Sequence, residues 1–323
     1  MIPGVQPMRQ ALLNYMKRRP GLYRFGRFVR DRFVRPLQNP LSGRSLARHA
    51  RAAQTADNSH AHQGEYLRGL LARCGLDAGS IVELAAGDGV YQSAALPLYR
   101  TGRWSGVAIE LDPVRFARLA YAYRQFPDVQ LVRTRATPDS IEALLRGFGV
   151  PANFTLFDLD IDSYDLHIAQ AVLRTFQPAV FMMEINESVP PPVYFTVKYG
   201  AACSHRDHFF GCSLTAAAEL VLPHGYVLES LQYNTALFVR ADVARKAGIV
   251  DVPVERAYRE GYADRPDRAE WFAWNYDMVH LLDLSPEQVI HALRQRWPNH
   301  DEYEIAIRTT GPQQAIASQA TTA

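Results

Sequence analysis

Between Ile81 and Ile185 the chain alternates five apolar runs of strand length with segments of helical periodicity. The runs cover residues 81–85, 106–111, 129–134, 154–161 and 179–185, and the helical patterns 91–99, 113–125, 138–148 and 164–176. None of the runs has the in-out alternation of a strand with one wet face, so both faces of the sheet must be covered. Strands of that kind, each followed by a helix, predict a parallel sheet with helices on both sides. The end of the series differs. A helical stretch over 214–222 and the turn Pro223-His224-Gly225 lead into a strand over 226–232, and Tyr233-Asn234-Thr235 passes directly into another over 236–240. A parallel return needs a crossover of roughly a dozen residues or more, so these two strands must pair antiparallel. The expected architecture is α/β: a mostly parallel seven-stranded sheet with a terminal antiparallel hairpin, plus N- and C-terminal helical extensions.

Four regions follow: a basic aromatic arm over 1–60, the sheet domain over 61–241, a helical extension over 242–308, and a tail over 309–323. The tail is made largely of Gln, Ala, Ser and Thr, which predicts disorder. Residues 43–63 read as a polar connection, ending in an amphipathic helix with Leu67, Leu70 and Leu71 on one side. In the extension, Trp271, Phe272, Trp274 and Tyr276 suit packing, as a cap or the surface of a homo-oligomer, or alternatively a substrate wall. No run approaches the ~20 apolar residues of a membrane span, and the N-terminus lacks a secretory pattern. Cys74, Cys203 and Cys212 form no CxxC pair, so neither a disulfide framework nor a thiolate zinc site is expected. A cytoplasmic location is the expectation.

The formal net charge of +2 hides an asymmetry: residues 1–51 carry twelve basic residues against one acid, Asp31, for +11, leaving −9 elsewhere. Tyr15, Tyr23, Phe25, Phe28 and Phe33 are interleaved with the arginines. Such an arm suits peripheral contact with anionic lipid at the inner membrane face, nucleic acid, or docking on an acidic partner or on its own acidic domain.

The glycine turn Glu83-x-x-x-Gly87-x-Gly89 follows the first strand. Glycine there allows a tight turn and close approach of the backbone to a ligand. A dinucleotide fingerprint places a third glycine three positions after the second, but Gln92 stands there, which disfavours a pyrophosphate on a helix N-terminus. Glu83, inside the strand end, suits accepting from an ammonium group. Glu110 ends the second strand, 23 positions after Gly87, where an acid can take both hydroxyls of a ribose. Arg135-Ala136-Thr137 closes the third strand, where backbone amides can edge an adenine.

On these residues the sequence resembles the class I S-adenosylmethionine-dependent methyltransferases, which have a Rossmann-like sheet closed by an antiparallel hairpin. More narrowly it resembles the FkbM-type group. The resemblance spans residues 61–241 and is carried by Val82–Gly89, Phe157-Asp158-Leu159-Asp160-Ile161-Asp162-Ser163-Tyr164-Asp165, Met183-Glu184-Ile185-Asn186, Phe210-Gly211-Cys212-Ser213-Leu214 and the closing Asn234–Arg240. FkbM-type enzymes usually show Asp-x-Glu-Gly after the fourth strand, where this chain has Asp160-Ile161-Asp162-Ser163. The resemblance implies S-adenosylmethionine as cofactor and methylation of an oxygen, commonly on a sugar or natural-product hydroxyl. The expected cofactor contacts are Glu83, Ala85, Gly87, Gly89, Glu110, Ala136 and Asp158.

Asp158, Asp160 and Asp162 would share one face of a strand, and three carboxylates there repel one another unless compensated. Asp160 and Asp162 are therefore expected at or beyond the carboxyl end, where ligands bind in open α/β sheets. Glu184 and Asn186 stand at the next strand end, and Asp160, Glu184 and Asn186 make an oxygen-only set suited to Mg²⁺ or another divalent cation. In enzymes resembling catechol O-methyltransferase, acids and an amide at these two strand ends hold Mg²⁺. The metal-free alternative has Asp160 or Asp162 orient the acceptor hydroxyl with a histidine as base. Base candidates are His167, His205 and His208, so the expected catalytic group includes Asp160, Asp162, His167 and His208. The segment 187–211, with Tyr194, Phe195, Tyr199, Phe209 and Phe210, reads as a lid that walls a sugar ring. The acceptor is expected to be a small molecule or glycan. A non-catalytic cofactor-binding scaffold is the rival from another class. RNA methylation rests only on the basic arm, and the acids at 158–162 would repel phosphates.

Overall fold

The computed structural model describes residues 40–55, 59 and 63–308. Its main sheet has seven strands: β1 (Gly79–Leu84), β2 (Trp104–Glu110), β3 (Val129–Arg133), β4 (Leu156–Leu159), β5 (Val180–Glu184), β7 (Tyr226–Gln232) and β8 (Thr235–Arg240). Their spatial order is β3-β2-β1-β4-β5-β8-β7. The first five are parallel, β8 runs antiparallel to β5, and β7 pairs antiparallel with β8. This is the Rossmann-like sheet with a closing hairpin, and the order reverses beside β1, between β1 and β4, where such sheets open a ligand crevice.

Alternate residues of each central strand feed two cores, which is why the strands read as unbroken apolar runs. Val82, Ile109, Phe157, Phe181 and Phe238 join α5 (Ile141–Gly147), α6 (Asp165–Leu173), α7 (Leu214–Val221) and α9 (Val254–Tyr258) on one face. Ile81, Ala108, Leu156, Val180 and Leu237 meet α1 (Gly43–Thr55), α2 (Gln63–Arg73), α3 (Leu96–Tyr99), α4 (Pro113–Tyr123) and α8 (Ala241–Ala247) on the other. Each fully buried Leu, Val or Phe contributes about 1.5–3 kcal/mol.

Four expectations need correction. Residues 43–55 form helix α1, whose Ala53 is buried against the second face, rather than a connection. The helix expected over 91–99 is confined to Leu96–Tyr99, because Asp88 Oδ1 takes the amides of Val90 and Tyr91 and Gln92 adopts φ +65°; a left-handed residue cannot sit inside a right-handed helix. The segment read as a lid loop contains strand β6 (Val193–Val197), and the extension read as helical contains β9 (Tyr303–Ile307); the two pair antiparallel, Phe195 facing Ile305. Around them Val193, Phe195, Phe209, Met278, Leu293, Trp297 and Tyr303 make a third core under α10 (Pro286–Arg296). Phe195 and Phe209 therefore pack inward, with Trp297 4.8 Å from the Phe195 ring, and cannot wall a substrate. Phe272 stacks on Tyr233 at 5.6 Å and joins the core of the main sheet. No described helix is long and apolar enough to cross a membrane. The expected tail and residues 1–39 of the basic arm lie outside the described residues.

Candidate active site

The glycine turn after β1 is built from left-handed residues: Ala85, Gly87 and Gly89 have φ of +58°, +59° and +74°. A Cβ on Gly89 would come within 2.5 Å of Leu119 Cδ1 and 2.7 Å of the Tyr123 ring, so this glycine is required by the packing of α4 as well as by its backbone. Gly87 N–H donates to Glu110 Oε2 at 2.8 Å, and Asp112 N–H donates to Oε1 at 2.6 Å. The acid at the end of β2 is thus tied directly to the turn after β1.

Glu83 is buried and accepts from Ser93 Oγ at 3.1 Å; its Oε2 has no hydrogen-bond partner. Burial above all, then the nearby Glu110 charge, pushes its carboxyl up to about 8. In the parallel register Asp158 on β4 lies abreast of Glu83. Burial and the Glu83 charge hold Asp158 well above the usual carboxylate range. An orphan buried acceptor is costly, so this pair of acids is poised for a cation or a hydrogen-bond donor.

Two cavities meet here. The first, about 480 Å³, is lined by Glu83, Gly87, Asp88, Asp158, Asp160 and Glu184 among others. The second, about 570 Å³, is lined by Ile109, Glu110, Asp112, Ala136, Ser163 and Tyr164 among others. They share Leu84, Ala85, Arg115 and Asp162. Glu83, Ala85, Gly87, Glu110, Ala136 and Asp158 thus come together around one continuous cleft, and Gly89 lies just behind the turn. Tyr164 O–H donates to the Ala136 carbonyl at 2.9 Å and fixes the wall of the second cavity.

At the carboxyl ends of β4 and β5, Asp160, Asp162 and Glu184 can each present an oxygen within 4.8 Å of the others. The loop that carries the two aspartates is held from beneath by Asp165, which accepts from Ile161 N–H at 2.8 Å and Ser163 N–H at 2.9 Å. Asp162 itself is left-handed, φ +59°. Asp160 opens onto the cavity, yet the protein around it and then the Asp162 charge push it up to about 6. Burial, with Asp160 and Asp162 next, holds Glu184 well above its ordinary value. Burial also pulls Asp162 upward, but hydrogen bonds with His205 and Glu184 outweigh it and keep it below its usual range.

The histidines separate clearly. His205 Nε2 lies 2.8 Å from Asp162 Oδ1 and its ring stacks on Phe210; the Asp162 hydrogen bond raises its pKa. His208, expected to be catalytic, is buried with Nε2 3.1 Å from Asp277 Oδ1, and burial lowers its pKa. His167, also expected to be catalytic, has Nε2 3.1 Å from the Val197 carbonyl. Both are occupied in joining the β6 region to its neighbours, and neither lines the cavities. Asn186, expected among the metal ligands, is completely buried, donates to the His208 and Phe210 carbonyls at 2.8 and 3.1 Å, and accepts from Ser188 N–H. Its amide shapes the lid segment and leaves Asp162 in its place beside Asp160 and Glu184.

Several residues of the site were not singled out from the sequence. Asn234, at the hairpin turn, donates to Glu184, and Gln63 at the start of α2 donates to Gln232 O, Asn234 Oδ1 and Thr235 Oγ1. Arg115 and Arg118 from α4 line the first cavity. Asn234 was legible as part of a hairpin turn; Gln63 and the arginines carry no local signal for their roles.

No family model matches the sequence, and no curated protein matches it. Among solved structures, the N-terminal domain of EvdMO1, crystallised in the presence of SAH and D-fucose, is 12% identical, with 62% of this chain and 97% of that one covered at a TM-score of 0.40. The SAH-bound methyltransferase PaMTH1 from Podospora anserina is 17% identical over 60% of this chain and 86% of its own, TM-score 0.41. The O-methyltransferase from Bacillus cereus in complex with SAH is 17% identical over 53% and 88%, TM-score 0.34.

Proposed function

We propose that this chain is an S-adenosylmethionine-dependent O-methyltransferase acting on a hydroxyl of a glycan, glycolipid or secondary metabolite, with the FkbM-type group as the nearest pattern. The observation that carries the reading is the unpartnered Glu83 Oε2, buried at the wall of a cleft that continues to Glu110. S-adenosylmethionine supplies a methyl group on a sulfonium, which a hydroxyl oxygen displaces in line. Glu83 fits the cofactor's ammonium, which its orphan oxygen and raised pKa both call for. Glu110, with each oxygen already fixed by one amide, keeps lone pairs for two ribose hydroxyls. Ile109, Ala136 and Tyr164 offer an apolar wall for a purine.

The chain's own part in the reaction is alignment and removal of water, since the displacement needs no protein nucleophile. Asp160, Asp162 and Glu184 hold the acceptor oxygen beside the junction of the cavities, and its proton can pass to a carboxylate or, through Asp162, to His205. Their all-oxygen donor set and mutual repulsion fit a hard divalent cation such as Mg²⁺. Such a cation, when bound, lowers the pKa of a coordinated hydroxyl.

Calorimetry with S-adenosylmethionine and S-adenosylhomocysteine, followed by measurement of S-adenosylhomocysteine release over a panel of sugars, phenols and polyketide alcohols with Mg²⁺ or EDTA, tests the reading. Micromolar binding and turnover on a hydroxylated acceptor are expected. Binding without turnover across the panel would favour a cofactor-binding scaffold. The basic residues of 1–51 suit a lipid-linked acceptor, and equal pelleting with anionic liposomes of the chain with and without residues 1–39, a deletion that leaves α1 whole, would remove that part.

A further inference from the structure

Helix α1 precedes the sheet domain, yet it lies against the glycine turn. His49 is almost wholly buried on its inner side. Its Nε2 is 2.7 Å from the Asp88 carbonyl oxygen, and its Nδ1 is 3.0 Å from Arg118 NH2. A carbonyl only accepts and a guanidinium only donates. The ring must therefore be neutral, with its proton on Nε2 and its lone pair on Nδ1. Arg118 reaches Asp88 Oδ2 at 3.3 Å from the same nitrogen, which closes a ring of contacts through the backbone and the carboxylate of Asp88; that carboxylate is also 3.8 Å from His49 Nδ1. Asp88 sits between the two left-handed glycines, and both Asp88 and Arg118 line the first cavity. At the other end of α1, Arg100 Nε donates to the Ala53 carbonyl at 2.6 Å and anchors the helix to the region after α3.

We propose that His49 is a positioning residue of the cofactor loop, which ties the docking of α1 to the geometry of Gly87–Gly89 and thereby sets cofactor affinity. The inference rests on the cofactor reading above. Protonation of Nδ1 removes the acceptor for Arg118 and places a cation against a cation, so the ring of contacts opens on acidification. Burial, the largest influence, lowers the His49 pKa, against the pull of Asp88 and together with Arg118. The groups facing the ring are Asp88 from the turn, Arg118 from α4 and the Tyr91 ring, whose centroid is 6.0 Å away. Cofactor affinity should therefore fall on acidification below the ordinary histidine range through this group, separately from Glu83, which titrates higher.

Glutamine supplies the same two functions without titrating: Nε2 donates and Oε1 accepts. The test is calorimetric Kd for S-adenosylhomocysteine between pH 5.5 and 8.5, with melting temperatures, for the full chain, His49→Ala and His49→Gln. His49→Ala should weaken binding about tenfold at pH 7.5, the scale of a lost buried hydrogen-bond pair. His49→Gln should stay near the wild-type Kd at pH 7.5 and lose the extra weakening that the wild type shows on acidification. A packing role alone would lower the melting temperature of both variants and leave the two pH profiles parallel. Parallel profiles, or a wild-type Kd in His49→Ala, overturn the inference while leaving the cofactor reading intact. No binding of S-adenosylhomocysteine by the wild type overturns both.

Discussion

The two ends of the cleft are built in different ways. At the end where the cofactor is proposed to bind, Glu83, Gly87, Gly89 and Glu110 come from two adjacent strands and the turn after the first, and each residue's proposed role follows from its place at a strand exit. At the end proposed for the acceptor, Asp160, Asp162 and Glu184 also stand at strand exits, but their surroundings come from far away. His205 and Phe210 belong to a segment whose strand β6 is stabilised by β9, more than a hundred residues later. The first half is a local device repeated along the sheet, and the second depends on a long-range closure. Disturbing the closure should therefore harm acceptor chemistry and spare cofactor binding.

The largest effect should come from the third core. Phe195→Ala removes a fully buried ring packed on Trp297, a loss of about 3–5 kcal/mol. Protease cleavage within 187–211 should then appear while S-adenosylhomocysteine affinity changes less than threefold; an equal loss of affinity would break the division between the two ends. Next, Asp162→Asn keeps a residue tolerant of its left-handed backbone and should cut turnover about a hundredfold or more, the scale of one catalytic proton acceptor, again with little change in cofactor Kd. Added Mg²⁺ should raise the wild-type melting temperature, and the shift should shrink in this variant.

A smaller effect of opposite sign is expected at the other end. Glu83 is held at about 8 in the folded chain, against 4.5 for the free side chain. Folded protein thus binds the proton more tightly, and stability falls as pH rises from about 4.5 to about 8. Glu83→Gln should be more stable than wild type at pH 8 by roughly 1–3 kcal/mol, with the gain fading towards pH 5, while cofactor affinity drops. Denaturant titration at both pH values measures it. The smallest effect belongs to His208→Gln, at a residue that holds Asp277 beneath the lid. It should cost about 1 kcal/mol and leave the pH profile of turnover unchanged; a lost acidic limb would return His208 to the catalytic group as a base.

The same division decided what could be read from sequence. Strands over 81–85 and 226–232, the hairpin and the acids at strand exits are local patterns, and periodicity with turn chemistry exposes them. The pairing of Val193–Val197 with Tyr303–Ile307 is not local: each is a run of five with four apolar or aromatic residues, broken by Thr196 or Glu304, and looks alike in a lid and in a strand. Asn186 and His208 carried the right chemistry for ligand and base, but both are buried, Asn186 on two backbone carbonyls and His208 on the Asp277 carboxylate, and sequence does not record burial. His49 was invisible for the opposite reason, since a polar stretch before the domain gave no sign that one imidazole would turn inward.

The β6–β9 pairing also has a consequence for synthesis on the ribosome. Once Val193–Val197 has been made, its partner is still more than a hundred residues from being translated, a delay of roughly 5–20 s at ordinary elongation rates. During that interval the half around Glu83 and Glu110 can assemble and residues 211–213 can cover one edge of β6, while its other edge stays unpaired and open to neighbouring nascent chains. The last of the described strands to emerge is the one that silences it.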